Sequence, residues 1–132
     1  MSKMEKTVIT FGTFDLFHFG HLRILERARA LGDKLVVGVS SDALNLKKKN
    51  RAPIVNQGHR MAIVAALKCV DEVFLEESLE LKQQYIKHHN ATVLTMGDDW
   101  EGKFDGLATK VVYFKRTASV STTELIETIS NI

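Results

Sequence analysis

At 132 residues the chain fits one domain, long enough to bury about two thirds of the surface its unfolded form exposes. Its hydrophobic content of 45% and charged content of 26% are those of an ordinary globular protein, and a formal net charge of +2 is too small to argue for nucleic acid or a membrane as partner. A single cysteine, Cys69 within AIVAALKCVDEV, excludes an internal disulfide, supplies no metal set and reads as a buried inert thiol.

The opening MSKMEKTVIT has no long apolar core, and no stretch approaches the roughly 18 apolar residues of a spanning helix, so the expected location is cytoplasmic. TVITFG (7–12) is a β-rich run ending in glycine. HLRILERARALG (21–32) carries Leu22, Leu25, Ala28 and Leu31 at helical spacing and then a stopping glycine. KLVVGVS (34–40) is a second strand, and SDALNLKKKNRAPIVNQGH (41–59), basic and holding the one proline, reads as a long loop. RMAIVAALKCV (60–70) is helical, DEVFL (71–75) a strand, LELKQQYIKHHN (79–90) a helix and TVLTMG (92–97) a fourth strand. DDWEGKFDGLA (98–108) reads as a loop with a short helical turn, KVVYF (110–114) as a fifth strand, KRTASV as a loop and STTELIETISNI (121–132) as a closing helix.

Short continuous apolar runs separated by helices predict a single α/β domain over 1–132, Rossmann-like, with a five-stranded parallel sheet and helices on both faces. Ligands of such sheets gather at the carboxyl ends of the strands. Four loops fall there: GTFDLFHFGH, SDALNLKKKNR, MGDDWEG and KRTASVSTT.

The first of these loops places His18 and His21 three residues apart at the start of a helix. Zinc fits poorly, because helical zinc pairs are four apart with an adjacent glutamate and structural sites want cysteines. Plain capping histidines are the bland alternative. Against it, Gly12 allows the strand end to turn, Gly20 permits close backbone approach, and a helix start offers N–H groups to an anion. Imidazole N–H donors there would meet oxygens that gain charge as a phosphoryl or nucleotidyl group transfers.

GTFDLFHFGH resembles the HxGH signature of the nucleotidyltransferase superfamily, and RTASVSTTEL resembles the RTxGIST signature of its cytidylyltransferase branch. The stretches TFGTFDLFHFGHLRILERARALGDKLVVGVSSD and MGDDWEGKFD are most similar to the glycerol-3-phosphate cytidylyltransferases, and the resemblance runs from about residue 7 to 127. It implies transfer of CMP from CTP to glycerol 3-phosphate, the acceptor phosphate attacking the α-phosphorus in line to give CDP-glycerol and pyrophosphate. Other phospho-alcohol or phosphosugar acceptors such as phosphoethanolamine, or a nucleotide-binding module without turnover, are the alternatives.

The resemblance implies site residues position by position. His18, His21, Arg116 and Lys48 fall on catalytic positions. Thr13, Phe14, His18, Phe19, Gly20, His21, Arg116, Thr117, Ser121, Thr122 and Thr123 fall on the nucleotide-binding segments, and Lys48 and Lys82 on the acceptor side. A phosphate-monoester nucleophile is already ionised near neutral pH, so Asp15 is expected to orient its loop or a neighbouring donor rather than to act as a base. Ser121 to Glu124 is also a plain capping box. Two positions depart from the motif: Ser119 stands for its glycine and Ala118 for its usual acidic residue. The basic loop is one residue longer, which leaves the second substrate-facing position to Asn50 or Arg51. RAPIV looks more like relatives with other acceptors. Arg60 and Asp71 match positions tied to structure or subunit contact, whereas His59, His88 and His89 read as surface histidines. Trp100 and its acidic neighbours could close over cytosine or ribose, or simply pack the loop. No protein metal site is expected. Mg²⁺ would arrive with the CTP triphosphate. The family is usually dimeric and, in bacteria, feeds teichoic-acid or capsule-type polymers, so a homodimer binding CTP and a small phosphorylated alcohol is expected.

Overall fold

The computed structural model describes residues 5–116 and 121–132. Five strands, β1 (Thr7–Gly12), β2 (Lys34–Ser40), β3 (Glu72–Glu76), β4 (Val93–Gly97) and β5 (Lys110–Phe114), form one sheet in the order β3-β2-β1-β4-β5. All four neighbour pairs are parallel. Five helices accompany them: α1 (Phe19–Arg29), α2 (Asp42–Lys49), α3 (Gln57–Ala65), α4 (Lys82–His88) and α5 (Thr122–Ser130). The expected parallel Rossmann-like sheet is therefore present. Its order reverses between β1 and β4, so a crevice opens at their carboxyl ends.

Side chains alternate across the sheet with a period of two. Val8, Leu35, Val37, Val39 and Val93 join Leu25 and Ala28 of α1 and Val64 of α3 in one buried cluster. Ile9, Phe11, Val36, Leu94 and Met96 join Ile86 of α4 in the other. Helices thus cover both faces, which is why the strands are mostly apolar along their length rather than alternating with polar residues.

The segment 41–59 departs from the loop expected there. It holds α2 and the start of α3. Ser41 caps α2 by accepting from the Leu44 N–H at 3.0 Å, Asp42 sits in the first turn, three lysines fill the last turn, and Asn50 closes the helix in the left-handed region at φ 59°. Leu44 is its one buried apolar residue, and its polar, lysine-rich composition resembles a solvated charge run. Asn56 caps α3, which begins at Gln57, three residues ahead of the expected start at Arg60. Helix α1 likewise begins two residues before the expected position, at Phe19.

Candidate active site

The loop joining β1 to α1 is bent by backbone conformations that cost energy. Phe14 and Leu16 both lie in the left-handed region, at φ 57° and 48°. Gly12 is not the turning residue. Its role is room: a Cβ there would meet the Phe14 ring at 2.8 Å, because Phe14 folds back into the core. Asp15, between the two strained residues, is buried and accepts from the Ile54 and Val55 N–H groups, each at 2.8 Å. Its own carbonyl accepts from the Thr122 hydroxyl at 2.9 Å, so the start of α5 is pinned to the same loop. Asp15 orients the loop, as its setting in the sequence led us to expect.

Arg60 is the second organiser. Only 1% exposed, its guanidinium donates to the carbonyls of Thr13, Ser40 and Val55 at 2.7–2.8 Å and pairs with Asp42 at 2.7 Å. One planar fork thereby ties the carboxyl ends of β1 and β2 to the starts of α2 and α3. Asp71 has a similar duty at the opposite end of the sheet, accepting from the Leu35 N–H at 2.8 Å and pairing with Arg29 at 3.3 Å.

His18 is the N-cap of α1. Its Nδ1 accepts from the Gly20 N–H at 3.0 Å, and the Nδ1 of His21 accepts from the His18 N–H at 3.2 Å. Because each Nδ1 is an acceptor, each neutral ring carries its proton on Nε2. The rings stack with centroids 3.9 Å apart. Burial holds both below the ordinary histidine range, and His21 is lowered to about 3 by burial first and by its His18 neighbour second. Both are therefore neutral donors at physiological pH. The Nε2 of His18 is buried and has no partner among the described residues. The Gly20 N–H is consumed by the cap, so the donors at this helix start are imidazole groups rather than that backbone amide.

These rings line a cleft of about 340 Å³. Thr13, Phe14, Gly20, Lys48, Lys82, Arg116, Ser121, Thr122 and Thr123 also line it, so residues from both ends of the sequence meet there as expected. Phe19 does not: it is 58% exposed and absent from the walls. Thr117 and Ser119 lie outside the described residues. Of the ambiguous pair, Arg51 faces the cleft, while Asn50 closes α2. Ser121 caps α5, accepting from the Glu124 N–H at 3.1 Å, and stands on the cleft wall as well. The segment leading to Arg116 is fastened by Arg27, which donates to the Lys115 carbonyl at 3.1 Å and stacks over Phe114.

The far end of the cleft is built by Lys48, Ser40, Glu76 and Lys82. Lys48 Nζ donates to Ser40 Oγ at 3.0 Å, Ser40 Oγ to Glu76 Oε1 at 3.2 Å, and Lys82 Nζ to Glu76 Oε2 at 2.5 Å. Lys82 is 3% exposed, not the surface lysine its helix would suggest. Ser40, Asn45, Glu76 and Lys115 are wall residues that sequence reasoning missed. For Ser40 a signal existed, since it ends the expected strand, whereas Glu76 ends β3 one residue beyond the expected limit. On the opposite wall Asp98, Asp99 and Trp100 line the cleft, and Trp100 packs on Phe104 with centroids 5.4 Å apart. Among the described residues no three His, Cys, Asp or Glu side chains converge as a metal set. Lys48, Lys49, Arg51, Lys82, Lys115 and Arg116 make the lining rich in cations, which suits a polyphosphate bringing its own metal.

A sheet crevice with paired imidazole donors at a helix start and a cationic lining defines a nucleotide-handling α/β protein. The sequence profile of the cytidylyltransferase-like family matches residues 9–128. The glycerol-3-phosphate cytidylyltransferase of Bacillus subtilis (strain 168) is 50% identical, over 96% of this chain and 99% of its own length. That of Bacillus spizizenii is 43% identical over the same shares. A lipopolysaccharide core biosynthesis protein from Thermoplasma volcanium has a matching solved structure, with a TM-score of 0.74 at 26% identity, covering 86% of this chain and 99% of that one. The chain belongs to the cytidylyltransferase-like family. No helix among the described residues is long and apolar enough to cross a membrane.

Proposed function

We propose that the protein transfers CMP from CTP to glycerol 3-phosphate. An oxygen of the acceptor phosphate forms a bond to the α-phosphorus of CTP, the bond to the β-phosphate bridging oxygen breaks, and pyrophosphate leaves with that electron pair. The acceptor phosphate is already an anion, so no general base is needed and the protein's task is positioning and charge stabilisation. Neutral His18 and His21 donate Nε2–H to the transferring and leaving phosphates, and Arg116 supplies a forked cation. Ser121 to Thr123 line the triphosphate's path. Lys48 and Lys82 receive the acceptor phosphate. Mg²⁺ accompanies the triphosphate and neutralises part of its charge. On the family resemblance of its signature stretches, the protein works as a cytoplasmic homodimer whose product feeds teichoic-acid or capsule-type polymers.

The observation that carries this reading is the convergence on one cleft of neutral imidazole donors and two lysine ammonium groups, buried Lys82 and half-buried Lys48. Pyrophosphate release with CTP, Mg²⁺ and a panel of phospho-alcohols, with ATP as control nucleotide, tests it. Release with CTP and glycerol 3-phosphate supports the reading. Release with another acceptor keeps the chemistry and replaces the substrate, and bound CTP without release across the panel contradicts catalysis.

A further inference from the structure

Lys82 and Glu76 form the one ion pair among the described residues with both side chains nearly out of solvent, 4% and 1% exposed. Burying such a pair is costly, and its retention at a cleft wall calls for a reason beyond stability. The geometry supplies one. Glu76 and Ser40 are register partners at the carboxyl ends of neighbouring parallel strands, so both face the crevice side by side. A carboxylate can accept from two sides, and a hydroxyl can accept and donate at once. Glu76 therefore grips Lys82 with one oxygen and reaches Lys48 through the Ser40 hydroxyl with the other.

We propose that Glu76, acting through Ser40, is a positioning residue for the acceptor phosphate: a single buried carboxylate fixes the two ammonium groups that receive it. The proposal rests on the acceptor reading above, and it adds two residues to that site. A lysine is a flexible point charge that loses much rotamer freedom when held in one place. Lys82 is already confined by Phe11 and Phe104, whose ring centroids stand 4.4 and 5.1 Å from its Nζ. Glu76 fixes it from a further side. Two ammoniums against one carboxylate leave one net positive charge for an incoming phosphate.

Glu76 also governs charge. Burial is the main influence lowering the Lys48 pKa, and Lys82, Lys49 and Arg60, facing it from α4, α2 and α3, push the same way. Glu76 alone among its charged neighbours pushes it up. Removing that carboxylate makes Lys48 shed its proton at lower pH, and the acceptor end then loses a cation.

The test is steady-state kinetics against pH for wild type, Glu76→Gln and Ser40→Ala, with glycerol 3-phosphate and CTP varied separately. Glu76→Gln is expected to raise the acceptor KM about tenfold or more, the scale of a charged hydrogen bond, while the CTP KM stays within about twofold. The alkaline rise in acceptor KM should also move to lower pH. Ser40→Ala, which cuts only the Lys48 arm and keeps the buried pair, should move it in the same direction by less. Glu76→Asp should restore part of the acceptor KM. Both KM values rising together, or an unmoved pH profile with a lower Tm, would mean Glu76 is merely structural and would overturn the proposal. A ¹³C NMR titration of the Lys48 ε-methylene, with no substrate present, separates this from the acceptor assignment. If glycerol 3-phosphate is not turned over, a lower Lys48 midpoint in either variant still supports the coupling. An unchanged midpoint in both refutes it.

Discussion

At one end of the cleft the working groups are two neutral rings held by hydrogen bonds spanning two and three residues. At the other they are two cations held by bonds spanning six, eight and thirty-six residues. The histidine end is a local structure: a helix start, its cap and a strained turn from one stretch of chain. The lysine end exists only once β2, β3, α2 and α4 have met. Burial disfavours charge at both ends, yet the two ends use different outcomes. It strips charge from His21, whose useful form is a neutral donor, while at the lysine end the Glu76 carboxylate opposes it to keep Lys48 charged. A single cleft can thus hold donors for a reacting polyphosphate and cations for a second phosphate.

The largest expected effect is at the lysine end. Lys82→Met leaves Glu76 buried without its cation and should lower stability by about 3–5 kcal/mol in urea unfolding, with most of the loss recovered when Glu76→Leu is added. Recovery in the double variant would show that the pair is retained for the site rather than for the fold. Little loss in the single variant would mean that Glu76 finds water or another partner, and that this end is less dry than its exposure indicates.

At the histidine end the effect falls on rate. His21→Ala should reduce kcat about 100-fold, the scale of one preorganised donor, while CTP binding measured by calorimetry changes only a few-fold. His18→Asn separates the two duties of the cap, since asparagine can still cap α1 but carries no Nε2–H. A rate loss with Tm unchanged is expected. The depressed His21 pKa has a stability consequence with a definite sign. Between about 3 and the ordinary 6.5 the unfolded chain binds a proton that the folded chain refuses. This contribution is complete above pH 6.5 and is lost as the pH falls towards 3, at no more than about 1.4 kcal/mol per pH unit. Chemical unfolding between pH 4 and 7 should show this slope in the wild type and a shallower one in His21→Gln.

How far each end could be read from the sequence follows the same division. The strands were legible because each is a short, mostly apolar, β-rich run, and their observed limits fall within a residue or two of those expected. The HxGH stretch was legible because its geometry is local. Helix α2 was not, because its evidence lies in its caps, Ser41 and Asn50, while its lysines mimic a solvated loop. Glu76 and Ser40 were legible at most as residues at or beside a strand end; that they stand side by side follows from strand register, which one sequence does not reveal. Arg60 was readable as structural but not as the tie among four segments.

The smallest expected effect marks where the local motif stops mattering for chemistry. Phe19 lies inside the HxGH signature yet outside the cleft walls. Phe19→Ala should leave both KM values and kcat within about twofold, below the ~1 kcal/mol scale of a typical contact. A larger loss in CTP KM would place that ring against the nucleotide after all.

The division of the cleft is tested most directly by following atoms. With glycerol 3-phosphate carrying ¹⁸O in its phosphate, CTP and Mg²⁺, ³¹P NMR of the products should show all of the label in CDP-glycerol. One labelled oxygen should bridge the two phosphorus atoms, and the pyrophosphate should contain none. Label in pyrophosphate, or a bridging oxygen drawn from CTP, would mean the acceptor phosphate is not the nucleophile and the lysine end does not hold it for attack.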